Sequence, residues 1–175
     1  MSNERVLDKK FEDCEYPCPC GYHGDPVHEC RCSTNAIRKY QQSISGPLLD
    51  RIDIHIEVPR VDYDKLTDDR RGEPSSAIRK RVETARQRQR ERFTGLPHLH
   101  ANSDMGASEI RDFCQMFPEA ERLLNTTLRQ MHLSARAYHR ILKLARTIGD
   151  LAGHERIEVV DMAEAIQYRP RRVGV

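Results

Sequence analysis

A mainly α-helical fold, a helical bundle preceded by a cysteine-rich loop and a single strand, is what the 175-residue sequence predicts. Three observations lead there. Capped runs of helical periodicity occupy most of residues 75–168, a single run of period-two alternation stands at 52–58, and four cysteines fall within 18–32. With 38% hydrophobic and 32% charged residues, the core can only be modest and the helices must keep wet faces. No run approaches the roughly 18 apolar residues of a membrane span. The start, Met1-Ser2-Asn3-Glu4-Arg5, lacks an apolar signal segment, so a cytoplasmic protein with no membrane partner is expected.

Residues 1–16 are acidic and basic with little apolar periodicity and read as a disordered leader. After the cysteines, Ser33-Thr34 supplies an N-cap for a short helix to about Ser43, and Ser45-Gly46-Pro47 breaks it. Ile52 to Val58 alternates apolar and polar, the pattern of a half-buried strand, and Pro59 closes it. A linker follows over 61–74. Ser75 or Ser76 caps a helix to about Thr94 with Ile78, Val82 and Ala85 as a narrow apolar stripe and Gly95-Leu96-Pro97 as its stop. Residues 107–116 and 118–131 read as a hairpin-like pair of helices, the second burying Ala120, Leu123, Leu124 and Leu128. The strongest helix is 135–152, capped by Ser134 and Gly153. Its apolar face is Tyr138, Ile141, Leu142, Ala145 and Ile148, and its other face carries Arg136, Arg140 and Lys143. A last helix from Val160 to Tyr168 presents Met162, Ala163 and Ile166, Pro170 ends it, and 171–175 is a tail.

The charges are balanced overall, 29 Lys+Arg against 27 Asp+Glu, which excludes a purely basic nucleic-acid tail. The positive excess is local: residues 70–92 hold 9 basic and 3 acidic side chains. Such a stretch is either a solvated helix face or a contact for nucleic acid through Arg79, Lys80, Arg81, Arg86, Arg88 and Arg90. These arginines cover several faces of the helix, and no aromatic stacking platform accompanies them there.

Four cysteines form two Cys-x-Cys pairs, Cys18/Cys20 and Cys30/Cys32. They are separated by nine residues that include the turn formers Gly21, Gly24 and Pro26. Four converging thiolates suit tetrahedral zinc, which would contribute folding energy to a segment nearly devoid of apolar residues. Reduced cysteines in ordinary loop contacts are the other reading, and Cys14, His23 and His28 compete as ligands. A disulfide is disfavoured in a reducing compartment. Cys114 falls on the apolar side of a helix and reads as a small core residue. No cysteine stands beside a histidine in a way that marks a catalytic nucleophile.

Three strings then converge: Pro17-Cys-Pro-Cys-Gly-Tyr-His-Gly-Asp25 with the second Cys-x-Cys, Ser45-Gly-Pro-Leu-Leu-Asp-Arg-Ile-Asp-Ile-His-Ile-Glu-Val-Pro59, and Leu133-Ser-Ala-Arg-Ala-Tyr-His-Arg-Ile-Leu-Lys-Leu-Ala-Arg-Thr-Ile-Gly-Asp-Leu151. Together, over roughly residues 17–170, they resemble the C-terminal third of a magnesium-chelatase-like AAA+ ATPase of the YifB/competence protein ComM family. The resemblance implies a ring-forming, hexameric ATPase using ATP and Mg2+, and in the ComM branch a motor for DNA branch migration during natural transformation. It implies that 17–60 ends the ATPase core, that 75–170 is the helical lid, and that 52–58 is a strand left over from the α/β core. It also implies that Arg51 is an arginine finger reaching a neighbouring protomer's nucleotide and that Arg136 is the lid arginine sensing phosphates. Read without the resemblance, Arg51 pairs with Asp50 or Asp53, and Arg136 accompanies Arg140 on a wet face. The sequence holds no Gly-x-x-x-x-Gly-Lys-Ser/Thr and no Asp-Glu dipeptide. The chain is therefore expected to be a fragment or truncated relative, inactive toward ATP alone, with other protomers or a missing N-terminal segment as partners. The competing function is a stand-alone zinc-containing nucleic-acid-binding module. A porphyrin-metal insertion site finds no support in the residues.

Overall fold

The computed structural model describes residues 18–25, 27–43, 52–56, 72–131 and 133–169. The chain divides into two units, Met1–Ile52 with Glu57–Tyr63, and Asp53–Ile56 with Asp64–Val175. The expected leader 1–16, most of the linker 61–74, the tail 171–175 and Arg51 lie outside the described residues.

In the first unit, the cysteine loop leads into α1 (Thr34–Gln41). Ser33 caps it as the sequence predicts, its side chain accepting from the Ala36 N–H at 3.3 Å.

The second unit is the helical bundle: α2 (Ser75–Arg92), a 3₁₀ turn (Asn102–Asp104), α3 (Ala107–Phe113), α4 (Pro118–Met131), α5 (Ala135–Ala152) and α6 (Val159–Gln167). The central helix, α5, packs on α6, α2, the 3₁₀ turn and α3. Both of its expected caps form. Ser134 accepts from the Ala137 N–H, and Gly153 takes the left-handed conformation at φ 95° that an L side chain resists. Its apolar side, with Ile141, Leu142 and Ala145 buried, meets Leu124 of α4, Met162 and Ala165 of α6, and Met105, Ile110 and Ile157. Each large side chain removed from water here contributes about 1.5–3 kcal/mol. Phe93, just past α2, closes the core edge-on against Phe113, ring centroids 5.4 Å apart.

Several expectations are corrected. Residues 52–56 form no strand: among the described residues no strand pairs with them, and the His55 N–H donates to the Tyr168 carbonyl at 2.9 Å. The rest of the expected 52–58 strand lies outside the described residues. The sole strand-like pairing among the described residues is a parallel bridge between Met116 and Ile157. Helix α3 ends at Phe113 rather than 116, since the Gln115 carbonyl is taken by the Ile157 N–H in that bridge. The two helices expected as a hairpin-like pair pack chiefly elsewhere, α3 on α5 and α4 on α6. Ile78 and Val82, expected in the buried stripe of α2, are 44% and 46% exposed. The N-terminal half of that helix carries no buried residue, and packing begins at Ala85.

A buried carboxylate ties the bundle together. Asp150, in the last turn of α5, accepts from both terminal nitrogens of Arg92 and from Asn102 Nδ2 at 2.8 Å, and forms an ion pair with Arg146 at 3.2 Å. Its backbone carbonyl accepts from Arg88 at 2.6 Å. Arg146, 1% exposed, also donates to the carbonyls of His154 and Glu155. Burial draws its guanidinium below the ordinary range, and Asp150 opposes that loss. Cutting a buried pair strands its partners. Asp150→Ala should therefore cost about 3–5 kcal/mol in denaturant unfolding of the chain, whereas Ser134→Ala, which removes one cap, should cost about 1 kcal/mol.

Candidate functional site

The four cysteines of the two Cys-x-Cys pairs converge. Their sulfurs lie within 4.8 Å of one another, with Cys18 to Cys20 at 3.3 Å and both Cys18 and Cys20 to Cys30 at 3.6 Å. The chain turns back through left-handed glycines, Gly21 at φ 82° and Gly24 at φ 85°, with the Gly21 N–H donating to the Cys18 carbonyl. Asp25 Oδ1 accepts from the N–H groups of Val27 and His28 at 2.7 and 2.9 Å, which fixes the far end of the loop. Of the expected competitors, His28 stacks on Tyr22 and His23 is exposed, both outside the sulfur cluster, while Cys14 lies outside the described residues. Among the described residues, this is the only cluster of metal-ligating side chains.

Four sulfurs around a metal at about 2.3 Å would sit about 3.8 Å apart in a tetrahedron. The three shortest observed spacings, 3.3 to 3.6 Å, lie just under that figure, and all six lie within 4.8 Å. Crowding also divides the thiols. Cys20 is drawn down to about 6, first by the backbone hydrogen bond at Tyr22 and then by Cys18. Cys30 is pushed up to about 12. The backbone hydrogen bond at Cys32 lowers it, but burial, the hydrogen bonds with Cys20 and Cys18 and the charge of Cys18 outweigh that. Cys32 is raised first by its hydrogen bond with Cys20. One cluster therefore holds a ready thiolate beside thiols that give up protons only to something positive. Cys114, by contrast, is buried in the helical core, and burial pushes its thiol up to about 12, as a core residue requires.

In the helical unit, Arg136 is the second residue of α5, exposed, with no hydrogen-bond or ion-pair partner among the described residues. It sits on the first turn of an 18-residue helix whose N-terminal N–H groups favour anions. Arg140, one turn on, is spent on Asp53 at 3.2 Å, and Lys143 on the Ser103 carbonyl. The sequence alternative that Arg136 merely accompanies Arg140 thus meets two different environments. Along α2, Arg79, Lys80 and Arg86 are exposed, and Arg90 bonds only the neutral Gln87. Arg81 is held by Glu73 through two hydrogen bonds of 2.6 and 2.9 Å. Arg88 and Arg92 turn inward to Asp150, so the basic run is less free than its count suggests. Sequence reasoning missed this hub. Its one legible signal was an acidic residue in the last turn of α5, where the helix dipole disfavours it unless cations hold it.

Residues 72–169 match the protein family described as Magnesium chelatase, subunit ChlI C-terminal, and residues 13–66 match Magnesium chelatase, subunit ChlI. The chain belongs to the magnesium-chelatase-like ComM/YifB family. Competence protein ComM of Haemophilus influenzae is 39% identical over 155 residues, covering 87% of this chain and 29% of the relative. YifB of Escherichia coli is 35% identical over 154 residues, with the same two shares. An uncharacterized protein of Mycobacterium tuberculosis is 32% identical, covering 87% of this chain and 30% of its own. The chain thus spans less than a third of the relatives it matches. The bundle built around α5 lies within the first matched family region and the four cysteines within the second. No described helix is long and apolar enough to cross a membrane.

Metal capture must displace the protons of Cys30 and Cys32, so affinity should rise with pH. Competition titration with zinc from pH 6 to 8 is expected to show that rise, and Cys18→Ser or Cys30→Ser should abolish stoichiometric binding. An unchanged metal content in both variants would remove the site.

Proposed function

We propose that the chain is the C-terminal portion of an AAA+ ring ATPase that acts on DNA in the manner of ComM, supplying a lid and arginines to nucleotide sites formed with other protomers. The observation that carries this reading is the contrast at the start of α5: Arg136 is exposed and unpaired among the described residues, while the helix beneath it is anchored by the Asp150 hub. A fixed helix N-terminus with a free guanidinium is suited to bind the phosphates of ATP. Arg51, in Leu48-Leu49-Asp50-Arg51-Ile52-Asp53, is assigned the finger that reaches a neighbouring subunit's nucleotide. ATP with Mg2+ supplies the phosphoryl-transfer chemistry, and this chain's contribution is cationic. The four cysteines are assigned a structural zinc that orders the loop. Arg79, Lys80, Arg86 and Arg90 on α2 are assigned to DNA phosphates; Arg88 is excused from that role by its bond to Asp150.

A second reading, a stand-alone zinc-containing nucleic-acid-binding module, draws support from the same exposed cations on α2. It differs in needing no nucleotide and no ring.

Two measurements separate these readings. In rings of a full-length protein carrying this segment, Arg51→Ala should lower ATP turnover by about 10³-fold or more with assembly intact, and Arg136→Ala should raise the KM for ATP. Turnover within twofold of the parent in both variants would overturn the ATPase assignment. The 175-residue chain alone should show no Mg2+-dependent turnover above background, since it holds no Gly-x-x-x-x-Gly-Lys phosphate loop.

A further inference from the structure

The loop between the two cysteine pairs carries more than ligands. Tyr22 and His28, six residues apart, stack with ring centroids 4.8 Å apart and an interplanar angle of 26°. Both remain open to solvent: Tyr22 is 42% exposed and the His28 side chain 45%. Among the described residues of this unit only Cys18 is buried, so burial in a core does not hold the two rings together. The turn does it instead. Gly21 turns the chain just before the first ring, Gly24 reverses it between the two, and Asp25 Oδ1 clamps the N–H groups of Val27 and His28. The four cysteines converge at the base of the same loop.

We infer that the Tyr22–His28 stack is a platform for an unpaired base of single-stranded nucleic acid. An exposed pair of parallel rings lets a third aromatic ring extend the stack, and every base offers such a face regardless of sequence. The exposed charges of the same unit suit a polyanion. Arg31, within the second cysteine pair, and Arg38 and Lys39 on α1 are exposed and unpaired among the described residues. Of the two carboxylates described in this unit, Asp25 is turned into the loop with a side chain only 13% exposed, and Glu29 alone faces solvent. Duplex DNA offers no free base face along its length, so single strands should be preferred. The inference rests on the reading of this protein as one that acts on DNA, and it goes further by naming the strand state recognised and the two side chains that read it. It does not depend on the arginines of α2, which belong to the other unit.

The test uses the zinc-loaded 175-residue chain and a mixed-sequence 12-nucleotide single strand with one 2-aminopurine, followed by its fluorescence, with the matching duplex alongside. Zinc content is measured on every variant. The expected result is that Tyr22→Ala with His28→Ala retains its zinc and weakens single-strand binding about 5- to 100-fold, the worth of one lost base stack. Tyr22→Phe, which keeps the ring, should bind as the parent does. Duplex affinity should be lower and unmoved by either change. Equal single-strand affinity in the parent and the double variant overturns the inference while leaving DNA binding through α2 intact, which Arg79→Ala with Arg86→Ala then reports. No single-strand binding by the parent overturns it as well. A parent without zinc overturns the metal assignment alone, because the affinity difference between parent and double variant still decides the platform.

Discussion

The helical unit depends on one buried carboxylate. Asp150 receives Arg92 from the end of α2, Asn102 from the 3₁₀ turn and Arg146 from its own helix, so three pieces of chain separated by up to 58 residues share one anion. Two guanidiniums on one carboxylate leave surplus positive charge, which is spread onto the carbonyls of His154 and Glu155. Because α5 is the helix against which the others pack, fixing its C-terminal end fixes the direction of its N-terminal end. Arg136 inherits its placement from a contact some fourteen residues away along the same rod, about 21 Å at 1.5 Å per residue.

A similar economy holds in the cysteine loop, where covalent connectivity and a few hydrogen bonds replace a core. Left-handed glycines bring the two Cys-x-Cys pairs face to face, and the sulfurs then perturb one another, with Cys20 drawn down and Cys30 pushed up. Unequal thiols are what four sulfurs at van der Waals range produce. A divalent metal bound by all four would relieve that crowding and contribute folding energy. The two units thus reach order by different routes, one by burying apolar and charged groups among helices, the other by left-handed turns and local hydrogen bonds.

The basic run 70–92 illustrates why charge counts mislead. Its nine cations look alike in sequence, yet Arg88 and Arg92 are internal ligands of Asp150, Arg81 belongs to Glu73, and Arg79, Lys80 and Arg86 face water. Helical angle and position along the helix separate them: residues 88 and 92 are one turn apart on the side of α2 that meets α5, as are Ala85 and Gln89 close by, whereas Arg81, at nearly the same angle as Arg88, lies two turns earlier. A solvated face and a structural face therefore coexist in one arginine-rich helix.

The sequence by itself determined which stretches are helical and some of their ends, though α2 starts at Ser75 behind Pro74 with no side-chain cap and α3 stops at Phe113. Ser33, Ser134 and Gly153 act as caps where local chemistry demands them, and α5 runs over the residues its periodicity marks, because capping and helical spacing are written within a few residues of each other. The cysteine cluster was legible for the same reason, its two pairs and intervening glycines being local. What only the tertiary structure decided were the long-range choices. Residues 52–56 alternate like a strand but join no ladder among the described residues, Ile78 and Val82 share the buried side of α2 yet lie beyond the described helices that would cover them, and Asp150 finds its cations 4 and 58 residues away. Periodicity states which residues share a face. It does not state where the opposing face ends, and that is set by how far each helix reaches past its neighbour in the folded bundle.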